Sequence, residues 1–173
     1  GKHCNGGCHR FKSIETDDYN FNKDKAKLLK NLKEKIDSIE NCNLKNNSKK
    51  LVMGDGNIRS PIMLVGEAPG ELEDNSGKSF QGEIGSLLRK MLAAINIKIE
   101  KVYLTYSINF RPPEDRKPTT QEIKRYSIFL KEHISIINPK IVILMGSTAM
   151  EAVTGLNPLK QMIITLTKIK QSY

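Results

Sequence analysis

A short apolar run, Ile62-Met63-Leu64-Val65, ends abruptly at Gly66, and the residues after it can continue neither a strand nor a helix. A continuous apolar run of this length suits a strand buried on both faces of a parallel sheet. In Glu67-Ala68-Pro69-Gly70, Pro69 fixes its own φ and restricts Ala68, while Gly70 permits positive φ. The chain therefore turns sharply at the carboxyl end of the strand, which is where open α/β sheets bind ligands. Gly77, Gly82 and Gly85 flank one aromatic residue, Phe80, a composition that lets backbone approach a flat ligand while the ring covers its face. From Ile84 the apolar residues Leu87, Leu88, Met91, Leu92 and Ile95 recur at helical spacing, so a helix packs back on the sheet.

The strand-then-helix pattern recurs downstream. Val102 to Ile108 reads as a second strand, followed by an Arg111-Pro112-Pro113 turn with Arg116 and Lys117 beyond it. Thr119 and Glu122 form a capping box that starts a helix with Ile123, Tyr126, Ile128, Leu130, Ile134 and Ile137 as its buried candidates. His133, alone on that helix, reads as a surface or core residue rather than a catalytic one. Ile141 to Met145 is a third strand ended by Gly146, and Ser147 caps a short helix to Val153. Upstream, Asp24 to Glu40 carries Leu28, Leu29, Leu32, Ile36 and Ile39 on one face of an amphipathic helix. Lys49 to Met53 is a candidate strand and Gly54-Asp55-Gly56-Asn57 a turn. Alternating strands and helices imply an α/β fold: three layers, a central mostly parallel sheet, right-handed crossovers and helices on both faces. The expected organisation is an irregular arm over residues 1–22, one domain over 23–156 and a divergent tail over 157–173.

Composition narrows the function classes. A chain of 173 residues supports one core under two helical layers. No apolar stretch approaches the ~20 residues of a membrane span and no signal peptide opens the chain, so a cytoplasmic protein without membrane partners is expected. Three cysteines cannot all pair, which argues against a disulfide framework. The net charge of +9 favours a polyanionic partner, although lysines spread through helices commonly form a solvated surface. His3, Cys4, Cys8 and His9 gather metal-ligand types in one short stretch, but neighbouring residues seldom all reach one tetrahedral ion without a returning second half, so no metal is expected. Ser76-Gly77-Lys78-Ser79 looks like the end of a phosphate-binding loop, yet Leu72 stands where such a loop requires glycine.

The motif G-E-A-P-G-x-x-E-D, continued as G-x-x-F-x-G-x-x-G-x-L-L-x-x-M-L, resembles the first active-site motif and following helix of the family 4 uracil-DNA glycosylases. Two further segments keep that family's order. Val102 to Ile123, V-Y-L-T-Y-S-I-N-F-R-P-P-E-D-R-K-P-T-T-Q-E-I, is similar to its V-Y-I-T-N…R-P-P-x-N-R-x-P…E-I segment. Asn138 to Ala149, N-P-K-I-V-I-L-M-G-S-T-A, is similar to its P-K-x-x-V-x-x-G-x-x-A strand and helix. The resemblance covers about Ile36 to Gly155.

The resemblance implies a glycosylase-like domain in which Glu67 is catalytic on the water and sugar side. Gly66, Ala68, Glu73 and Phe80 would bind substrate, with Phe80 stacking on uracil, and Pro69, Gly70 and Arg111 would contact DNA. The implied partner is uracil-containing DNA and the implied state a monomer. The family's four iron-sulfur cysteine positions fall here on Ile39, Cys42, Phe110 and Tyr126, so one thiol of four remains and no cluster is expected; the likeness is to a cluster-free bacterial branch. Cys42 then reads as a structural residue in an apolar pocket. Tyr106 stands at the asparagine that reads the uracil edge, and a phenol lacks the amide's paired donor and acceptor. Asp115 replaces the asparagine of the R-P-P-x-N-R run. The family's C-terminal H-P-x-x-x-L motif has no counterpart from Asn157 to Tyr173, as in a truncated or degenerate chain. Two readings stay open: a uracil-DNA glycosylase of base-excision repair, and an inactive remnant of the fold with at most non-specific DNA contacts through Lys78, Arg111, Arg116 and Lys117.

Overall fold

The structure, a computed structural model, describes residues 10–155, with side chains from Phe21 onward. The His3, Cys4, Cys8 and His9 segment and the tail over 157–173 lie outside the described residues.

Helix α1 spans Arg10–Asp37. It corrects the expectation of an irregular arm up to residue 22, since no glycine or proline interrupts the chain from Arg10 to Asp37 and the helix propagates back from its packed half. The inward stripe is Lys25, Leu29, Leu32 and Ile36, at helical spacing, with Ile39 packing on the core just past the helix end, while Leu28 faces solvent one residue off that stripe. Lys25 joins it because its ammonium donates to the carbonyls of Ile137 at 2.7 Å and Ile58 at 3.2 Å. Burial, with the charge of Arg59, holds its pKa below the usual lysine range.

A short helix α2 (Asn43–Asn47) leads to β1 (Asp55–Gly56), β2 (Ile62–Gly66), α3 (Glu71–Ser76), α4 (Gly82–Ala94), β3 (Tyr103–Tyr106), α5 (Thr120–Ile137), β4 (Ile141–Leu144) and α6 (Ser147–Thr154). The sheet order is β1-β3-β2-β4, with β1 antiparallel and the other three parallel. Lys49 to Met53 is not a strand. Its backbone is partly taken by Asn109, whose carbonyl accepts from the Val52 N–H at 2.9 Å and whose amide donates back to the Val52 carbonyl at 3.0 Å. The residues expected as a turn supply the edge strand instead, with Asp55 opposite Leu104 and Gly56 opposite Tyr103.

Strand alternation divides the core. Met63, Val65, Tyr103 and Val142 face α1 and α5, together with Leu32, Ile36, Tyr126 and Leu130. Leu64, Leu104 and Tyr106 face α4 through Phe80, Leu88 and Leu92. The apolar set of α4 is wider than its buried stripe: Ile84, Leu87 and Met91 are exposed, as are Ile95 at its C-cap and Ile128 on α5. The Thr119 capping box forms as expected, with its hydroxyl accepting from the Glu122 N–H at 3.2 Å and the Glu122 carboxylate accepting from the Thr119 N–H at 2.9 Å. Gly146 rather than Ser147 is the N-cap of α6, and the Ser147 hydroxyl accepts from the Lys117 ammonium at 2.7 Å.

Candidate active site

Strand β2 lies between β3 and β4, so the connection from β2 to β3 and the connection from β3 to β4 leave in opposite directions. Right-handed crossovers then put α4 and α5 on opposite faces and open a crevice at the carboxyl end of β2. Register brings the strand ends together there, with Gly66 opposite Tyr106 and Val65 opposite Leu144. A cleft of about 500 Å³ occupies the crevice, lined by Gly66, Glu67, Ala68, Pro69, Gly70, Glu73 and Phe80. The residues expected to be catalytic or to bind substrate between Gly66 and Phe80, with Pro69 and Gly70, therefore meet at one cavity, while Gly77 and Lys78 do not line it. Arg111 does not line it, but its ion-pair partner Asp115 does.

Glu67 is the first residue past β2. Its carbonyl accepts from the Ile108 N–H at 3.3 Å, which fixes the loop's departure. Its carboxylate is half-buried and has no hydrogen-bond or ion-pair partner among the described residues. One carboxylate oxygen lies 3.5 Å from where a Cβ on Gly146 would sit, so the turn after β4 runs beside the acid.

Glu73 is buried and braces the motif from inside. One oxygen accepts from the Gly70 N–H at 3.2 Å and the other from the Gln81 N–H at 3.0 Å, tying together the two ends of the segment that carries Phe80. The first bond also caps α3, a helix absent from the sequence expectation although Gly70 followed by Glu73 and an acidic first turn is its signature. Two further carboxylates support the loop. Asp55 accepts from the Ser79 N–H at 2.6 Å and hydroxyl at 2.7 Å, and Asp74 accepts from the N–H groups of Lys49 at 2.7 Å and Lys50 at 3.1 Å. Sequence reasoning missed both, because their partners lie 24 or 25 residues away with no local pattern to connect them.

Of the three glycines expected to bring backbone near a ligand, Gly85 makes room for Phe80 itself, as does Gly66 at the strand end, whereas Gly77 and Gly82 face Lys50 and Leu72. A Cβ on Gly85 would fall 1.8 Å from the Phe80 carbonyl oxygen, and one on Gly66 would fall 2.8 Å from the tip of the Phe80 ring. Phe80 adopts φ +48, an uncommon region for a bulky residue. Its N–H donates to the Tyr106 hydroxyl at 2.8 Å, and the two rings stack with centroids 4.7 Å apart at 18°. Burial pushes the Tyr106 phenol above its usual pKa range, with lesser contributions from Glu73 and Asp55, so it remains a neutral hydroxyl. Met145 and Pro112 also reach the cleft; Met145 follows the last residue of β4, the same position at a strand end that Glu67 occupies after β2.

Several cations proposed from the sequence are already engaged. Arg111 makes two hydrogen bonds to Asp115, at 2.7 and 2.8 Å, and lies 3.9 Å from Glu71. That pairing holds the Asp115 carboxyl below the usual carboxylate range. Arg116 pairs in the same way with Glu122, at 2.7 and 3.0 Å. Lys78 is exposed.

The four positions that would carry an iron-sulfur cluster meet in one part of the core, and they are filled by side chains. The Cys42 thiol lies 3.1 Å from the Tyr126 hydroxyl, Phe110 packs edge-on to Tyr126 with centroids 6.4 Å apart, and Ile39 borders the core cluster to which all three belong. Cys42 is the one cysteine among the described residues, and two aromatic rings with one thiol do not fit a cluster that needs four thiolates. Among the described residues no group of three or more His, Cys, Asp or Glu is placed to hold a metal ion. His133 is buried on the far side of the sheet, 2.8 Å from the Tyr103 hydroxyl, and burial pushes its pKa down to about 4.

The sequence profile of the uracil DNA glycosylase superfamily matches residues 53–171. A type-4 uracil-DNA glycosylase of Thermotoga maritima is 36% identical over 126 residues, covering 73% of this chain and 66% of that protein. One from Archaeoglobus fulgidus is 34% identical over 142 residues, 82% of this chain and 70% of its own length. One from Sulfurisphaera tokodaii is 39% identical over 119 residues, with 68% and 54% covered. The alignments thus span from about half to 70% of the length of these relatives.

Proposed function

The chain belongs to the uracil-DNA glycosylase superfamily, and from that membership we propose that it hydrolyses the N-glycosidic bond of deoxyuridine in DNA, opening base-excision repair. The observation that carries the proposal is the convergence of Glu67, Ala68, Glu73 and Phe80 on one cleft at the carboxyl end of the central strand. An enzyme that acts on a base within DNA must take it out of the stack, hold it against a flat apolar surface and bring water to the sugar.

In this reading Phe80 and Ala68 form the wall against the base, and Gly66 lets it approach the sheet edge. Glu67 works on the sugar side. As the bond between C1′ and N1 breaks, its electron pair leaves with uracil and positive charge develops on the sugar. The Glu67 carboxylate stabilises that charge and orients a water for attack on C1′. Its freedom from other partners among the described residues supports this role. Glu73 acts through the loop, holding Gly70 and the start of α4 at fixed separation. Pro69 and Gly70 face the DNA backbone, and Arg111 reaches phosphate at the expense of its pairing with Asp115, so DNA affinity falls as salt rises.

The proposal includes a bacterial, cytoplasmic protein acting as a monomer without an iron-sulfur cluster. The side chains packed around Cys42 support the last point, and no described helix is long and apolar enough to cross a membrane. Single-turnover cleavage of a single-stranded oligonucleotide bearing one uracil tests the assignment, with Glu67→Ala and Phe80→Ala alongside. Alkali-labile product that both substitutions diminish supports it. Salt-sensitive binding with no product from the unsubstituted chain rejects it.

A further inference from the structure

Phe80 is the flat apolar surface of the site and lines the cleft, yet it is only 4% exposed, so little of its ring is open to a ligand. The aromatic ring stacked on it is Tyr106, also 4% exposed. The arrangement follows from strand parity: Val102, Leu104 and Tyr106 all project to the α4 side of β3, where Phe80 sits. Three contacts fix the Tyr106 ring. It stacks at 4.7 Å and 18°, its hydroxyl accepts the Phe80 N–H at 2.8 Å, and Gly66 is so close that a Cβ there would meet both rings, at 2.8 and 3.1 Å. A base stacked on Phe80 would adopt the same offset geometry, with centroids separated by the distance Tyr106 now spans.

Resting on the glycosylase reading, we propose that Tyr106 occupies the base-stacking position and gates entry to the site, so that a base enters only when the Tyr106 ring leaves Phe80. The ring, not the hydroxyl, makes the obstruction. Leaving costs the aromatic stack and the hydrogen bond from the Phe80 amide, which together set a penalty on the order of tenfold in base affinity. The penalty falls on every base alike. A base already weakly held in its duplex, or carried on single-stranded DNA, has least unstacking to add to it and is the favoured substrate.

The test uses Tyr106→Asn and Tyr106→Ala, which remove the ring, and Tyr106→Phe, which keeps the ring and deletes the hydroxyl. Two quantities are read, affinity for free uracil and single-turnover excision from a single-stranded oligonucleotide. The ring-deleted proteins are expected to bind uracil about tenfold more tightly than the unsubstituted chain and to excise it faster by a similar factor, with Tyr106→Phe within about threefold of the unsubstituted chain. Folded Asn and Ala variants that bind no tighter overturn the proposal, and so does a Phe variant that opens the site as fully as Asn. If no protein excises uracil while the ring-deleted variants bind it more tightly, the glycosylase reading fails and the obstruction stands. One measurement needs no variant. The Tyr106 ring protons, shifted by the Phe80 ring current, should move to unstacked positions when a uracil oligonucleotide binds. Unchanged positions in the bound state overturn the proposal.

Discussion

Replacing Glu73 with alanine removes the acceptor from two backbone donors, the Gly70 N–H at 3.2 Å and the Gln81 N–H at 3.0 Å. Glu73 is 7% exposed, so water only partly replaces the carboxylate. A buried amide left unpaired costs about 1–3 kcal/mol, and the cleft beside Glu73 admits some solvent, which places the combined loss at about 2–4 kcal/mol. A domain with about 5–15 kcal/mol of stability stays folded after such a loss. Glu73→Gln keeps one carbonyl oxygen as acceptor but turns an NH₂ toward the second donor, so about half of the loss is expected. Urea unfolding of the three proteins should rank them unsubstituted, Gln, Ala, with shared m-values showing that the same surface is exposed in each. Excision should fall in the same order, because the loop held by Glu73 carries Phe80 at its far end. An alanine variant within about 0.5 kcal/mol of the unsubstituted protein would mean that the two amides find other partners and that Glu73 is a wall residue only.

The remaining expectations probe separate parts of the fold. Burial lowers the His133 pKa from 6.5 to about 4, so the unfolded chain holds an extra proton between those values; its contribution to stability is complete above pH 6.5 and is lost as pH falls toward 4, by about 3 kcal/mol. Urea unfolding at pH 7 and pH 4.5 measures this, and His133→Gln should flatten the dependence in that window even if the variant is less stable throughout. Gly85→Ala drives a Cβ to 1.8 Å from the Phe80 carbonyl oxygen, a backbone atom that cannot rotate away; a loss of about 3 kcal/mol or more by thermal unfolding, with excision impaired, is expected. Tyr126→Phe removes the hydroxyl 3.1 Å from the Cys42 thiol and should cost about 1 kcal/mol in denaturant unfolding; a larger loss would show that the pair anchors more of the core than one bond.

The three parallel strands, the α/β class and the cleft at the carboxyl end of the central strand were legible because each rests on a local pattern: an apolar run, a glycine at its end and a helical repeat behind it. The capping box at Thr119 was legible for the same reason. What stayed hidden depends on contacts distant in sequence. Lys25 lies inside because the end of α5 offers it a carbonyl 112 residues away, and Leu28 lies outside because that row was taken. Asp55 and Asp74 act on the loop from across the chain, and the two-residue edge strand was hidden behind a glycine-rich turn signature. The Tyr106 substitution was visible as a lost amide. That its ring lies on Phe80 required the pairing of β3 with β2 and the path of the loop above them.

Intact-mass analysis of a single-stranded oligonucleotide bearing one uracil, incubated with this chain in excess, tests the central claim most directly. The strand should become lighter by the mass of uracil less one water, with free uracil released in equal amount and the yield cut sharply by Glu67→Ala. An unchanged strand mass in the presence of bound, folded protein would contradict it, as would base release that Glu67→Ala leaves intact.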